Sequence, residues 1–68
     1  KLPYGVVWAD AFEDVFRRLK VLGIKATSVG KTEIEVGTCG GPDADWIFTN
    51  FAFDDHGRLV RMRQFVSP

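Results

Sequence analysis

The stretch WIFTNFAFDDHGRLVRMRQFV, Trp46 to Val66, decides the fold. Trp46 to Phe53 and Arg58 to Val66 are rich in aromatic and β-branched residues and read as two strands. Asp54-Asp55-His56-Gly57 between them fits a type I turn closed by a glycine bulge. Pairing Asp54 with Arg58 sets Phe53 against Leu59, Phe51 against Arg61, Thr49 against Arg63 and Ile47 against Phe65. The even-numbered residues form the opposite face: Trp46, Phe48, Asn50, Ala52, Val60, Met62, Gln64 and Val66. Six of those eight are apolar or aromatic and none is charged, so this even face is expected against a helix. The odd face carries Ile47, Phe51, Phe53, Leu59 and Phe65, with Arg61 and Arg63 among them. A turn one residue different would scramble the pairing, though not the alternation within each strand.

Working back along the chain, Asp10 is a candidate N-cap and Glu13, three residues later, gives a capping-box signal. Phe12, Val15, Phe16, Leu19 and Leu22 recur at helical spacing and form one apolar stripe. Acids come early and bases late, which suits the helix dipole. Gly23 is a natural residue just past a helix end. These signals predict a helix over residues 10–22. Ile24 to Val29 and Thr32 to Val36 read as two further strands, with Gly30-Lys31 as a two-residue turn. Gly37 to Asp45 reads as a loop, and residues 1–8 as a short apolar lead-in. The order gives a single α+β domain over residues 1–68: one N-terminal helix packed on a four-stranded antiparallel β-meander.

A helix is roughly 10 Å wide with its side chains. Four strands at ~4.8 Å spacing make a sheet about 15–19 Å across. One helix therefore leaves sheet surface uncovered, and a sheet apolar on both faces has to meet something more. Three covers are open: a second copy, a different partner, or the chain's own Leu2, Tyr4, Val6, Val7 and Trp8 folded back over the odd face. Burying an extra ~400 Å² is worth on the order of 10 kcal/mol at ~25 cal/mol per Å², before association costs.

Composition narrows the function classes. At 68 residues the core is small, and self-association often helps such chains. One cysteine excludes an internal disulfide, and no Cys/His cluster suggests a structural metal. Nine basic residues balance nine acidic ones, which argues against a general polyanion binder. No apolar run approaches the ~20 residues of a membrane span, and no signal peptide is visible. Lys1 fits a processed N-terminus and a trimmed chain equally.

Few residues suggest chemistry. His56 sits at a turn beside Asp54 and Asp55, where exposed polar residues are normal, and three adjacent turn residues rarely converge on one ion. Cys39 needs a base to become a thiolate, and His56 is the only candidate. Gly40-Gly41 lacks the lysine and the following helix of a phosphate loop. Asp43 and Asp45 could serve a partner's basic group, and two carboxylates alone do not make a glycosidase. Arg61 and Arg63 beside Phe51 and Phe65 resemble aromatic-plus-basic surfaces that stack bases, with Phe51–Arg61 as a cation–π pair. Arginine and aromatics are equally what protein interfaces enrich.

Leu2-Pro3-Tyr4-Gly5, Trp8, the helix ending in Leu22-Gly23, and Phe53-Asp54-Asp55-His56-Gly57-Arg58-Leu59 together resemble a pattern of small bacterial domains. These are α+β modules of the β-lactamase-inhibitor-protein type, with which the accessory lipoprotein of the outer-membrane barrel-assembly machine and some immunity-like proteins share their look. The resemblance spans roughly a third of the chain and implies a non-enzymatic module that presents a sheet face to protein. The inhibitor type's disulfide cysteines are missing, which counts against a secreted inhibitor; the compartment is left open, with the cytoplasm slightly favoured over the periplasm. The expectation is a non-catalytic interaction module, a homodimer or bound to another protein, using Ile47, Phe51, Phe53, Leu59, Arg61, Arg63 and Phe65. It includes no cofactor, metal or catalytic residue. The alternative is a single-stranded nucleic-acid binder using the same aromatic and arginine face.

Overall fold

The computed structural model describes residues 2–39 and 46–67. It has the expected α+β architecture. A 3-10 turn, Pro3–Gly5, leads to helix α1, Phe12–Val21. Strands β1, Ala26–Val29, β2, Glu33–Cys39, β3, Trp46–Phe53, and β4, Leu59–Ser67, follow in a single sheet. The sheet is antiparallel throughout, in the order β1-β2-β3-β4.

The helix ends as its sequence dictates and begins otherwise. Gly23 takes φ 76°, its N–H bonds Lys20 O at 3.0 Å, and the Ile24 N–H bonds Leu19 O at 3.0 Å. Those two bonds are a Schellman motif, and Ile24 turns back onto the core instead of starting β1. At the other end the N-cap is Ala11, with no side-chain cap. Asp10 caps the preceding turn instead, its carboxylate accepting the Val7 N–H at 3.0 Å. The first helical N–H, Phe12, donates to Gly57 O at 2.9 Å, so the β3–β4 turn closes the helix start. Ala9 and Asp10 exchange two bonds with Leu59, which ties the N-terminal segment to the head of β4.

The strands are shifted slightly from their expected bounds. Val29 pairs with Glu33, so three residues, Gly30 to Thr32, make the first turn rather than two. Strand β2 runs on to Cys39 and takes the first residues of the expected loop, whose remainder, 40–45, lies outside the described residues.

The last hairpin corrects the face assignment. Its turn is as read: Asp54 N–H bonds Arg58 O at 2.9 Å, and Gly57 has φ 74°. Phe53 also pairs with Leu59 as expected. A bulge follows, in which Val60 is unmatched, and from there Ala52 pairs with Arg61, Phe51 with Met62, Thr49 with Gln64 and Ile47 with Val66. One extra residue reverses which β4 side chains share a face with which of β3. The inner face is thus Phe53, Phe51, Thr49 and Ile47 with Leu59, Met62, Gln64 and Val66.

Phe51, Phe53 and Leu59 are therefore core residues, not an exposed face. They pack with Val15 and Leu19 of α1, Ile34 and Val36 of β2, and Val6 of the lead-in. Leu2 and Tyr4 lie against the same cluster, so the N-terminal residues do fold over this face, although Val7 and Trp8 stay exposed. Phe12 meets Phe53 edge-on at 5.1 Å between ring centroids. The helix and lead-in roof the end of the sheet near the β3–β4 turn. The far end, with Ile47 and Val66 on the inner face, stays partly open.

Candidate functional site: the outer face of the sheet

The face turned away from the helix is built in rows by the strand register. Glu33, Ala52 and Arg61 form one row across β2, β3 and β4. Glu35, Asn50 and Arg63 form the next. Gly37, Phe48 and Phe65 form a third, and Trp46 closes the far end of β3. Acids thus occupy the β2 column and bases the β4 column.

The far end is aromatic. Trp46 and Phe48 stack at 6.4 Å with an interplanar angle of 25°, and Phe48 and Phe65 at 5.5 Å with 22°. Trp46 is 49% exposed and Phe65 56%. Gly37 makes room for this ladder: a Cβ there would stand 3.3 Å from Phe48 Cε1. The ring leans across β2 over the bare backbone, the close approach a glycine permits.

Midway along the face sits Asn50, only 5% exposed. Its Nδ2 donates to Glu33 Oε1 at 2.9 Å, while its buried Oδ1 has no partner. Buried amide oxygens are ordinarily bonded, which makes this one a local cost within the protomer. Among the described residues the one ion pair is Arg17–Asp14 on the helix, so Arg61 and Arg63 are held by no carboxylate there.

The expected site residues therefore divide. Arg61, Arg63 and Phe65 come together on the outer face. Ile47 lies at the same end of the sheet but on the inner face, beside Val66. Phe51, Phe53 and Leu59 are buried. The cation–π pair Phe51–Arg61 does not form, because the two residues lie on opposite faces. Trp46 and Phe48, assigned to the helix side by the unbulged register, belong to the site instead, as do Glu33 and Asn50. No signal in the sequence marked them: Gly37 reads there as the start of a loop, and its place opposite Phe48 follows only from the strand register.

The remaining candidates are scattered. Cys39 pairs with Trp46 at one end of the sheet, whereas His56 is in the turn at the other. A strand of this length puts their backbones at opposite ends of the sheet, roughly 20 Å or more apart. The His56 N–H bonds Asp54 Oδ1 at 2.9 Å and the Arg58 N–H bonds the same oxygen at 3.0 Å. Bonding from the Arg58 N–H, helped by that of His56, holds the Asp54 carboxyl below its ordinary value. That carboxylate serves the turn. Among the described residues no three His, Cys, Asp or Glu side chains gather as metal ligands, and no helix is long and apolar enough to cross a membrane. Gly40, Gly41, Asp43 and Asp45 lie outside the described residues.

Comparison with protein-family models, with curated proteins and with solved structures finds no match to this chain.

Proposed function

We propose that the chain is a non-catalytic protein-interaction module that self-associates through the outer face of its sheet. The observation that carries this reading is the solvent-facing ladder Trp46–Phe48–Phe65, laid over Gly37 and flanked by two arginines. Large aromatics and arginine are what interface centres enrich, and they dominate binding energy there. The likeness to small sheet-presenting bacterial modules points the same way. The test is the molar mass in solution as concentration rises, for the unchanged chain and for Phe65→Lys. The unchanged chain should exceed its monomer mass, and Phe65→Lys should lose the association while keeping its circular dichroism. Equal association by both proteins rejects the aromatic end as the contact.

One observation favours a second reading. The true register puts Arg61, Arg63, Phe48, Phe65 and Trp46 on a single face, an arrangement able to stack unpaired bases. Glu33 and Glu35 on the same face, and zero net charge, oppose it. A salt-sensitive titration with a single-stranded oligonucleotide would support this reading, and a flat one removes it.

A further inference from the structure

The outer face is complementary to itself, and we propose that a second copy covers it about a two-fold axis running along β3. In that arrangement Glu33 and Glu35 of each copy stand over Arg61 and Arg63 of the other. The inference rests on the reading of this face as a self-association surface and specifies how two copies meet.

The rows decide the axis. Glu33 and Arg61 lie at one level on either side of β3, and Glu35 and Arg63 at the next. A rotation about β3 exchanges the two sides and keeps the levels. Each acid then meets the base of its own row in the other copy, twice over, as an isologous contact requires. A two-fold running across the strands would instead stack acids on acids and bases on bases. One perpendicular to the sheet would join edges and leave the face bare. Aligned sheets pack ~10 Å apart at about 30°, so the axis tilts ~15° from β3, within the reach of glutamate and arginine side chains.

The uncharged rows fit as well. Phe48 leans over Gly37 towards β2. Phe65 of the other copy, from its β4 column, comes down on that ring. A standard interface takes ~800 Å² per partner, about a sixth of the 4889 Å² surface of this chain.

Charge reversal at one row tests the pairing. Glu35 and Arg63 are both exposed, so E35R and R63E should fold, which circular dichroism checks. Sedimentation equilibrium should show each variant alone with a dimer dissociation constant raised at least about tenfold, because like charges face each other twice. An equimolar mixture should recover the dimer, since both rows then pair opposite charges. If both variants dimerise as the unchanged chain does while Phe65→Lys does not, this pairing is wrong and the interaction face stands. An unchanged chain that remains monomeric at millimolar concentration overturns both. A salt series on the unchanged chain is independent of any variant: dimerisation should weaken as salt rises, and strengthening overturns the charged pairing.

Discussion

Phe51 and Phe65 are the same residue type on adjacent strands with opposite roles. Phe51 is fully buried in the protomer's core, and Phe65 is exposed on the outer face. Phe51→Ala should cost about 3–5 kcal/mol, enough to unfold so small a domain, as a urea titration would show. Phe65→Ala should leave the monomer's urea midpoint nearly unchanged and weaken only association. Asp54 gives a prediction about pH. Its carboxyl is held below the ordinary 3.8, chiefly by the Arg58 N–H. The stabilisation is therefore fully present above pH 3.8 and is lost as pH falls through the lower folded value. Amide exchange at His56 and Arg58 should reflect that loss below pH 3.8, and Asp54→Asn should flatten it. Gly37→Ala tests the aromatic ladder: the new Cβ pushes Phe48 from its place and should weaken association more than it lowers the melting temperature.

At the scale of elements, the bulge at Val60 governs what the sequence could show. The helix, the four strands in order and the last turn were legible because each has a local signal: apolar spacing in α1, Gly23 in its left-handed conformation, and Asp54 with Gly57 in the turn; the first turn and the ends of β1 and β2 were not. Which face of the hairpin meets the helix was not, because a single unmatched residue on β4 decides it and Val60 carries no mark distinguishing it from its neighbours. The helix start was hidden for a related reason. Asp10 looks like a cap, but the Phe12 N–H is satisfied by Gly57, far along the chain. The bulge makes a sharp prediction. Deleting Val60 leaves Arg61 paired with Ala52 and Met62 with Phe51, so the faces survive and unfolding should remain cooperative. Deleting Met62 swings Arg63 and Phe65 inward and should abolish the folded state. Circular dichroism with a urea titration distinguishes the two.

For the whole molecule, the shortage of cover persists but has moved. The N-terminal residues and α1 together close the inner face around Phe51, Phe53 and Leu59. What stays open is the outer face and the far end of the β3–β4 hairpin, where Trp46, Phe65 and Val66 remain about half exposed. Three of the seven expected contact residues, Arg61, Arg63 and Phe65, survive on that face, while Trp46 and Phe48 complete it. In the proposed dimer, the basic column on β4 and the acidic column on β2 would favour a partner that matches both. The most direct measurement is sedimentation equilibrium of the unchanged chain from micromolar to millimolar concentration. A mass rising to twice the monomer, and returning to it in Phe65→Lys, is the predicted result. A mass fixed at the monomer throughout would contradict the claim that the outer face binds a second copy.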